Sequence, residues 1–94
     1  MDINRIIWLD DIVDKLERKH GVGKSEVWEL LQSKPKFRIV EKGHREGENV
    51  YAALGRTEAG RYLVVFFIYK AANAALVISA RDMTRGERKR YEKK

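Results

Sequence analysis

The first third of the chain alternates a short apolar run with two stretches of helical spacing. Residues 3–8 form the apolar run, which predicts a short strand. Apolar residues then recur every three or four positions over residues 9–16 and again over residues 27–31, which predicts two helices, each with one buried face. The residues expected to begin or end these helices are Gly21, Gly23 and Pro35.

Beyond Pro35 the apolar pattern changes to a period of two, as expected for strands. The predicted strands are residues 36–42, 49–56, 61–69 and 76–80. Tight turns between the last three of them predict an antiparallel meander. The strand at 61–69 is apolar on both faces, which is typical of the centre of a sheet.

These elements predict a single α+β domain over residues 1–94. In chain order they are a short N-terminal strand, two helices, an antiparallel four-strand meander and a basic C-terminal helix. Such an order predicts helices packed on one face of the sheet. The other face is expected to stay partly open, and an open face flanked by arginines is where a partner or substrate would bind.

The C-terminal segment, residues 76–91, holds the strongest chemical signal of the chain. Thr84 and Glu87 have the spacing of a capping box, so each side chain can bond a free N–H group at the start of a helix. This would hold Arg81 at a strand end, beside a basic cluster that suits a polyanion such as nucleic acid. The cluster consists of Arg85, Arg88, Lys89 and Arg90.

Composition narrows the class of protein further. The net charge is +6 and is carried by the part of the chain after residue 33, because residues 1–33 hold five Lys and Arg against seven Asp and Glu. Cysteine is absent, which excludes disulfides and thiolate metal sites, and two histidines are too few for an ordinary zinc site. No apolar run reaches the length of about 20 residues that spans a bilayer, and no signal peptide is evident. We therefore expect a cytoplasmic protein without metal, cofactor or membrane contact.

Four segments of the chain match the pattern of a known family. They are Trp8 at the end of the first strand, the KHGV run at 19–22, the residues 54–56 and 60–65 around a glycine turn, and the ISAR run at 78–81 with Thr84, Glu87, Arg88 and Tyr91. On these residues the chain resembles the BrnT family of toxins from bacterial type II toxin–antitoxin systems. The resemblance covers nearly the whole chain.

The resemblance implies a RelE-like fold and a ribonuclease that cuts RNA without metal and arrests translation. It also implies a small DNA-binding antitoxin, BrnA-like, that neutralises the toxin in a heterotetramer which represses its own operon. The chain departs from the family pattern at positions where the family has polar residues. These positions are Leu9, Ile12, Leu16 and Val50. A catalytically degenerate member that only binds nucleic acid or antitoxin is therefore the alternative, and a free-standing nucleic-acid-binding domain is the third hypothesis.

RNA cleavage without a metal needs a base, an acid and cations that stabilise the charge of the phosphate. We assign Arg81 to the phosphate, because a guanidinium binds two phosphate oxygens as a fork. His20 at a helix C-terminus is the acid–base candidate, and Glu48 the carboxylate base, with Glu46 as a second loop glutamate. The candidates for RNA binding are Arg56, Arg61, Arg85, Arg88, Lys89 and Tyr91.

Each of these residues also has a structural interpretation. Arg81 can pair with Glu87, His20 can cap its helix, and the tyrosines can simply pack. The terminal helix can be a solvated exterior or a contact for an acidic antitoxin segment. His44 is expected to be exposed.

Overall fold

The structure is a computed structural model that describes residues 1–43 and 48–93. It contains one five-stranded sheet, in the order β1-β5-β4-β3-β2, and three helices. In chain order the elements are β1 Arg5–Ile7, α1 Asp10–Lys15, α2 Lys24–Gln32, β2 Lys36–Glu41, β3 Val50–Arg56, β4 Tyr62–Lys70, β5 Ala74–Asp82 and α3 Arg85–Glu92. A π-helical turn over Leu16–His20 continues α1.

The predicted α+β class is confirmed, and the sheet is larger than the predicted meander. Strands β2 to β5 pair antiparallel with their neighbours in the chain. The N-terminal strand β1 joins the same sheet as a fifth strand, parallel to β5, with Ile6 opposite Ala75. The pattern of the sequence did not show this pairing, because it joins segments about 70 residues apart.

The main core lies between one face of the sheet and the helices α1 and α2. It is built from alternate residues of the strands, such as Ala53, Leu63 and Phe67, together with Leu30 and Val27 of α2, and all five are fully buried. Gly55 lets α2 approach β3 closely, because a Cβ atom there would lie 3.3 Å from the Leu30 Cγ atom. These contacts account for the helical apolar stripe and for one of the two apolar faces of β4.

Helix α3 packs on the opposite face of the sheet, so the expectation that all helices share one face is wrong. Leu54 and Val64, which alternate with residues of the main core, form a second, smaller core with Tyr91 of α3. The short helix carries almost no apolar surface except this tyrosine, which is why its pattern could not show where it docks. We call the sheet face under α3 the α3 face and the other one the helix face.

Local signals for helix ends are confirmed. Gly21 has φ +59° and ends the π-helical turn in the left-handed conformation that glycine adopts without strain. The Gly23 N–H donates to Glu26 Oε1 at 3.1 Å at the start of α2. At the start of α3, the N–H of Glu87 donates to the hydroxyl of Thr84 at 3.1 Å, and the N–H of Thr84 donates to Glu87 Oε1 at 2.8 Å.

A β-bulge in β5 determines which face Arg81 occupies. Ser79 pairs with Phe66 but Val77 pairs with Phe67, so Ile78 is an extra residue. Successive residues of a strand alternate faces, and one extra residue inverts that alternation. Val77 therefore lies in the main core, whereas Arg81, four residues on, lies on the α3 face. Arg81 is also inside β5, not past its end as predicted.

Candidate nucleic-acid interface

The α3 face carries cations in adjacent rows that cross four strands. Arg81 pairs with Val64, Val64 with Leu54, and Leu54 with Lys36, so Arg81 and Lys36 stand at the two ends of one row. The neighbouring rows contain Arg38 on one side and Arg56 on the other. We call this surface the basic face. It comprises Lys36, Arg38, Arg56, Arg81 and Arg88.

Arg81 is held by a two-point ion pair with Glu87. Its Nη1 lies 2.6 Å from Glu87 Oε1 and donates also to the Asp82 carbonyl at 3.1 Å, while Nη2 lies 3.0 Å from Glu87 Oε2. The guanidinium carbon is 5.3 Å from the centre of the Phe66 ring. The side chain remains 34% exposed.

The ion pair leaves part of the Arg81 fork available. A guanidinium has five N–H donors, and the three bonds to Glu87 and Asp82 use three of them. The remaining N–H groups are on Nε and Nη2, which lie side by side and match two oxygens of one phosphate. Arg81 can therefore keep Glu87 and bind a phosphate in the same conformation.

Glu87 is the buried anion at the centre of this arrangement. It is 5% exposed and accepts bonds from Arg81 and from the Thr84 N–H, with Arg38 Nη2 at 3.8 Å. Arg81 lowers the pKa of Glu87 to about 2, mainly through their hydrogen bonds. Glu87 is thus ionised at neutral pH and too weak a base to take a proton from a ribose hydroxyl. It positions Arg81 and anchors α3.

Stacked aromatic and cationic groups continue the basic face beneath α3. The Tyr62 ring lies between two guanidinium groups, with Arg88 at 3.9 Å and Arg56 at 4.8 Å from its centre. The Tyr91 ring packs edge-on against Tyr62 at 6.0 Å. Lys36 Nζ lies 5.1 Å over Tyr91 and donates to its carbonyl at 2.6 Å. The cation–π contacts add no negative charge. Arg88 is also paired with a carboxylate, because its Nε lies 3.3 Å from Glu92 Oε1.

Three further cations of α3 face solvent. Arg85, Lys89 and Arg90 are all exposed. Arg90 also lines a cavity of about 140 Å³ between α3 and β2, together with Arg38 and Tyr91. The helix therefore has one side on the sheet and a basic outer side.

Arg61 lies away from this cluster, on the helix face. Its guanidinium donates to the carbonyls of His20 and Gly21, both at 2.8 Å, and contacts Glu26 at 3.2 Å. It also forms a two-point pair with Asp82, at 2.7 and 3.2 Å, which raises the pKa of Arg61 and lowers that of Asp82. Arg61 therefore joins the end of β5 to both N-terminal helices, and the structure does not bring it to Arg81.

Replacing Arg61 with alanine is expected to lower the free energy of unfolding by about 2 kcal/mol, because several charge-assisted bonds are lost at once. Denaturant unfolding measures this change. Arg61→Lys should recover little, since an ammonium cannot reproduce the two-point pair with Asp82. The predicted role of Arg61 in RNA binding is tested by measuring RNA cleavage under conditions in which Arg61→Ala is folded. If Arg61 only bridges these elements, the cleavage rate stays unchanged.

His20 lies with Arg61 and Asp82, not with the Arg81 guanidinium. Its carbonyl accepts from Arg61, and its charge contributes to the lowered pKa of Asp82. Asp82 pairs with Leu63, a residue of the main core, so its carboxylate belongs to the helix face. The predicted acid–base residue and the predicted phosphate ligand are therefore on opposite faces at one end of the sheet.

Glu48 is exposed and lies at the far end of β3. The strand begins at Val50, four residues before Leu54, which shares a row with Arg81. Four residues of a strand span about 13 Å, so Glu48 is not beside Arg81. His44 and Glu46 lie outside the described residues.

Positions that depart from the family pattern have different surroundings. Leu16 is 2% exposed and belongs to the main core, and Ile12 packs against that core. Leu9 is exposed and Val50 half-buried. Leu16 and Ile12 therefore contribute to packing where the resemblance implies polar side chains.

Several residues of the basic face were missed by sequence reasoning. Arg38 alternates with Phe37 and Ile39, and this period-two pattern placed it opposite the core without marking it as functional. Lys36 gave no signal, and neither did Tyr62 and Phe66, whose rings contact arginines of this face. Only the pairing of the strands brings these residues near Arg81.

Residues 1–43 and 48–93 contain neither a metal-binding cluster nor a membrane-spanning helix. Across these ranges no three His, Asp or Glu side chains are grouped as a metal site. No helix within them is both long and apolar enough to cross a membrane.

Comparison with known proteins gives two similarities. A family model described as a ribonuclease toxin, BrnT, of a type II toxin–antitoxin system matches residues 8–87. The fold is similar to the crystal structure of the Brucella abortus ribonuclease toxin BrnT, with a TM-score of 0.62 and 21% sequence identity, over 86% of this chain and 97% of that one. Comparison with curated proteins found no match.

Proposed function

Because this chain belongs to the BrnT family of ribonuclease toxins of type II toxin–antitoxin systems, we propose that it cleaves RNA on the basic face without a metal ion. The observation that supports this assignment is the state of Arg81. It is held rigidly by Glu87, partly exposed, and retains adjacent N–H donors on Nε and Nη2.

In the proposed reaction the ribose 2′-oxygen attacks the adjacent phosphorus, and the 5′-oxygen leaves. Charge builds up on the phosphate oxygens in the transition state, where a preorganised guanidinium stabilises it more than in the ground state. Arg81 binds these oxygens, while Arg56 and Arg88 hold neighbouring phosphates. Tyr91 supports Lys36 and Tyr62 beneath α3.

In the acid–base steps Glu48 takes the proton of the 2′-hydroxyl, and His20 gives a proton to the leaving 5′-oxygen. His20 and Glu48 remain the proposed acid–base residues, and neither lies beside the Arg81 guanidinium. Their participation requires the RNA to pass around the end or along the edge of the sheet. Substitution of each residue in the cleavage assay tests these roles separately.

The antitoxin partner is proposed to be a small DNA-binding protein, BrnA-like, that forms a heterotetramer with the toxin. The outer side of α3, with Arg85, Lys89 and Arg90 exposed, suits an acidic segment of such a partner. Such a segment would compete with RNA for the same charges. A cytoplasmic location and a RelE-like relationship complete the proposal.

A catalytically degenerate member is the second candidate, and two observations favour it. Leu16, where the resemblance implies a polar residue, is part of the main core, and the described acid–base candidates are separated from Arg81. Such a protein would bind RNA or antitoxin and would not cleave RNA.

RNA cleavage by the purified protein in excess EDTA tests the proposal. We expect cleavage products that end in a 2′,3′-cyclic phosphate, because the 2′-oxygen is the nucleophile. Cleavage that appears only after Mg²⁺ is added would contradict the metal-free reaction. RNA binding without cleavage under either condition would establish the degenerate member instead.

A further inference from the structure

A second cavity lies beyond the basic face, where α2 meets the turn between β3 and β4. Its volume is about 360 Å³, and Arg56 alone among its lining residues takes part in the proposed reaction. The lining residues are Trp28, Glu29, Gln32, Ser33, Arg56, Thr57 and Glu58. The cavity is thus a cleft large enough for a planar ring, with one aromatic wall.

Trp28 supplies the aromatic wall and is exposed to solvent. It is 43% exposed, although the adjacent Val27 is fully buried in the main core. A surface tryptophan at the rim of a cavity offers an indole face on which a nucleobase can stack. Its position on α2 makes this platform rigid, because Val27 and Leu30 anchor the helix on either side of it.

Arg56 connects the cavity to the basic face. Its guanidinium lies over Tyr62, in the stack that leads to Arg88, and the same side chain lines the cavity. Arg56 lies two strands away from Arg81 and two residues further along its own strand than Leu54, the residue in line with Arg81. The Cα atoms of the two arginines are therefore roughly 12 Å apart. One RNA chain could therefore bind Arg81 with one phosphate and Arg56 with another. The nucleotide whose phosphate binds Arg56 would then place its base at the cavity.

The polar groups of the cavity favour one kind of base edge. Glu29 Oε1 accepts the backbone N–H of Glu58 at 3.1 Å, which holds the Glu29 carboxylate at the wall. A carboxylate only accepts hydrogen bonds and has about four lone-pair positions, so most remain for a ligand. Glutamate accepts from the amino group of cytosine, whereas the carbonyl oxygen at the same position of uracil would face an anion.

We propose that this cavity is a nucleobase subsite that stacks the base on Trp28 and selects bases with an exocyclic amino group through Glu29 and Glu58. The inference rests on the proposed function for its biological ligand, an RNA strand. It adds a source of sequence preference that lies outside the reacting phosphodiester, with Arg56 binding the phosphate of the selected nucleotide.

The subsite is tested by titrating the full chain with CMP and with UMP. The affinity for each nucleotide is measured from changes in NMR chemical shifts. The two ligands differ in the base edge and share the ribose and phosphate. We expect CMP to bind at least about tenfold more tightly than UMP and to shift the indole N–H signal of Trp28. Trp28→Ala should weaken CMP binding about tenfold or more, whereas Trp28→Phe should stay within a few-fold, since it keeps an aromatic face.

Two further variants separate base recognition from general effects. Glu29→Gln should remove the difference between CMP and UMP, because an amide both donates and accepts. Ile39→Ala is the matched control, since Ile39 is 50% exposed but lies on the edge strand β2. It should leave both affinities unchanged.

Equal affinities for CMP and UMP, or unchanged CMP binding by Trp28→Ala, would overturn the subsite. Nucleotide binding is measured without cleavage, so the outcome is independent of the catalytic proposal. A protein that binds CMP at Trp28 but never cuts RNA would refute the ribonuclease reaction alone, and an active protein with equal CMP and UMP binding would refute the subsite alone.

Discussion

Replacing Arg81 with alanine is expected to lower kcat/KM for RNA cleavage by about 100-fold or more, and to relieve growth arrest when the protein is expressed. The reason is that one preorganised donor aimed at developing charge is worth roughly 10²–10³ in rate. Arg81 offers such donors on Nε and Nη2 while Glu87 holds the rest of the guanidinium. A gel-based cleavage assay with a labelled RNA measures the loss.

Loss of folding must be separated from loss of catalysis in this experiment. Removing Arg81 leaves the buried Glu87 carboxylate with fewer donors, which destabilises the fold by about 1–3 kcal/mol. The assay is therefore run at a temperature where circular dichroism shows the variant to be folded. Arg81→Lys keeps the charge without the fork and should recover only part of the rate.

Arg18→Ala is the matched control, because Arg18 is an exposed arginine on the π-helical turn. It should cleave RNA at the parental rate. A folded Arg81→Ala variant that cleaves RNA and arrests growth as well as the parent would refute the assignment of Arg81 to the phosphate.

Replacing Glu87 with glutamine is expected to lower the free energy of unfolding at neutral pH by about 3 kcal/mol. Folding lowers the pKa of this carboxyl from 4.5 to about 2, and each unit corresponds to about 1.4 kcal/mol. For a domain of this size, such a loss lowers Tm by at least about 10 °C. Thermal unfolding followed by circular dichroism measures it.

The same ion pair predicts the direction of the pH dependence. Because the pKa of Glu87 is lower in the folded state, its contribution is complete above the unfolded pKa near 4.5 and is lost as the pH falls toward 2. The parent should therefore lose about 3 kcal/mol more than Glu87→Gln over this range. Denaturant unfolding at a series of pH values measures both slopes.

Glu17→Gln provides the comparison for this second prediction, because Glu17 is an exposed glutamate far from α3. It should unfold with the stability and pH dependence of the parent. Parallel pH profiles for the parent and Glu87→Gln would show that Glu87 does not hold α3 through its charge.

The two predictions share one residue pair and concern different properties. Glu87 stabilises the domain by capping α3 and by pairing with Arg81, and the same pair presents Arg81 to a phosphate. Glu87→Gln keeps a hydrogen-bonding side chain but loses the charge that orients the guanidinium. Its cleavage rate, compared with that of Arg81→Ala, shows how much of the activity depends on this positioning.

Local features of the fold followed from residues close together in the chain. The capping box of Thr84 and Glu87 and the left-handed end at Gly21 depend on backbone groups within about four positions, so the sequence alone predicted them. The apolar runs of strands β3 and β4 and the apolar faces of α1 and α2 were equally readable. The family resemblance over residues 8–87 is confirmed for the same reason, since its motifs are short runs.

The arrangement of the candidate site depended on contacts between distant segments. The bulge at Ile78 places Arg81 on the α3 face, while Asp82, the next residue, joins Arg61 on the helix face. Sequence reasoning grouped Arg61 with Arg56 as candidates for RNA binding because the two residues flank one tight turn. Only strand register separates them, and register is set by long-range pairing that a residue pattern does not contain.

The sequence by itself thus determined the kinds of element, their order, the ends of two helices and the family. Tertiary structure alone decided that β1 joins the sheet beside β5, that α3 covers the opposite face, and that Arg38 and Lys36 share that face with Arg81. The physical reason is the range of the interactions. Capping and helical periodicity act within a few residues, whereas the position of a charge on a sheet follows from pairing across the whole chain.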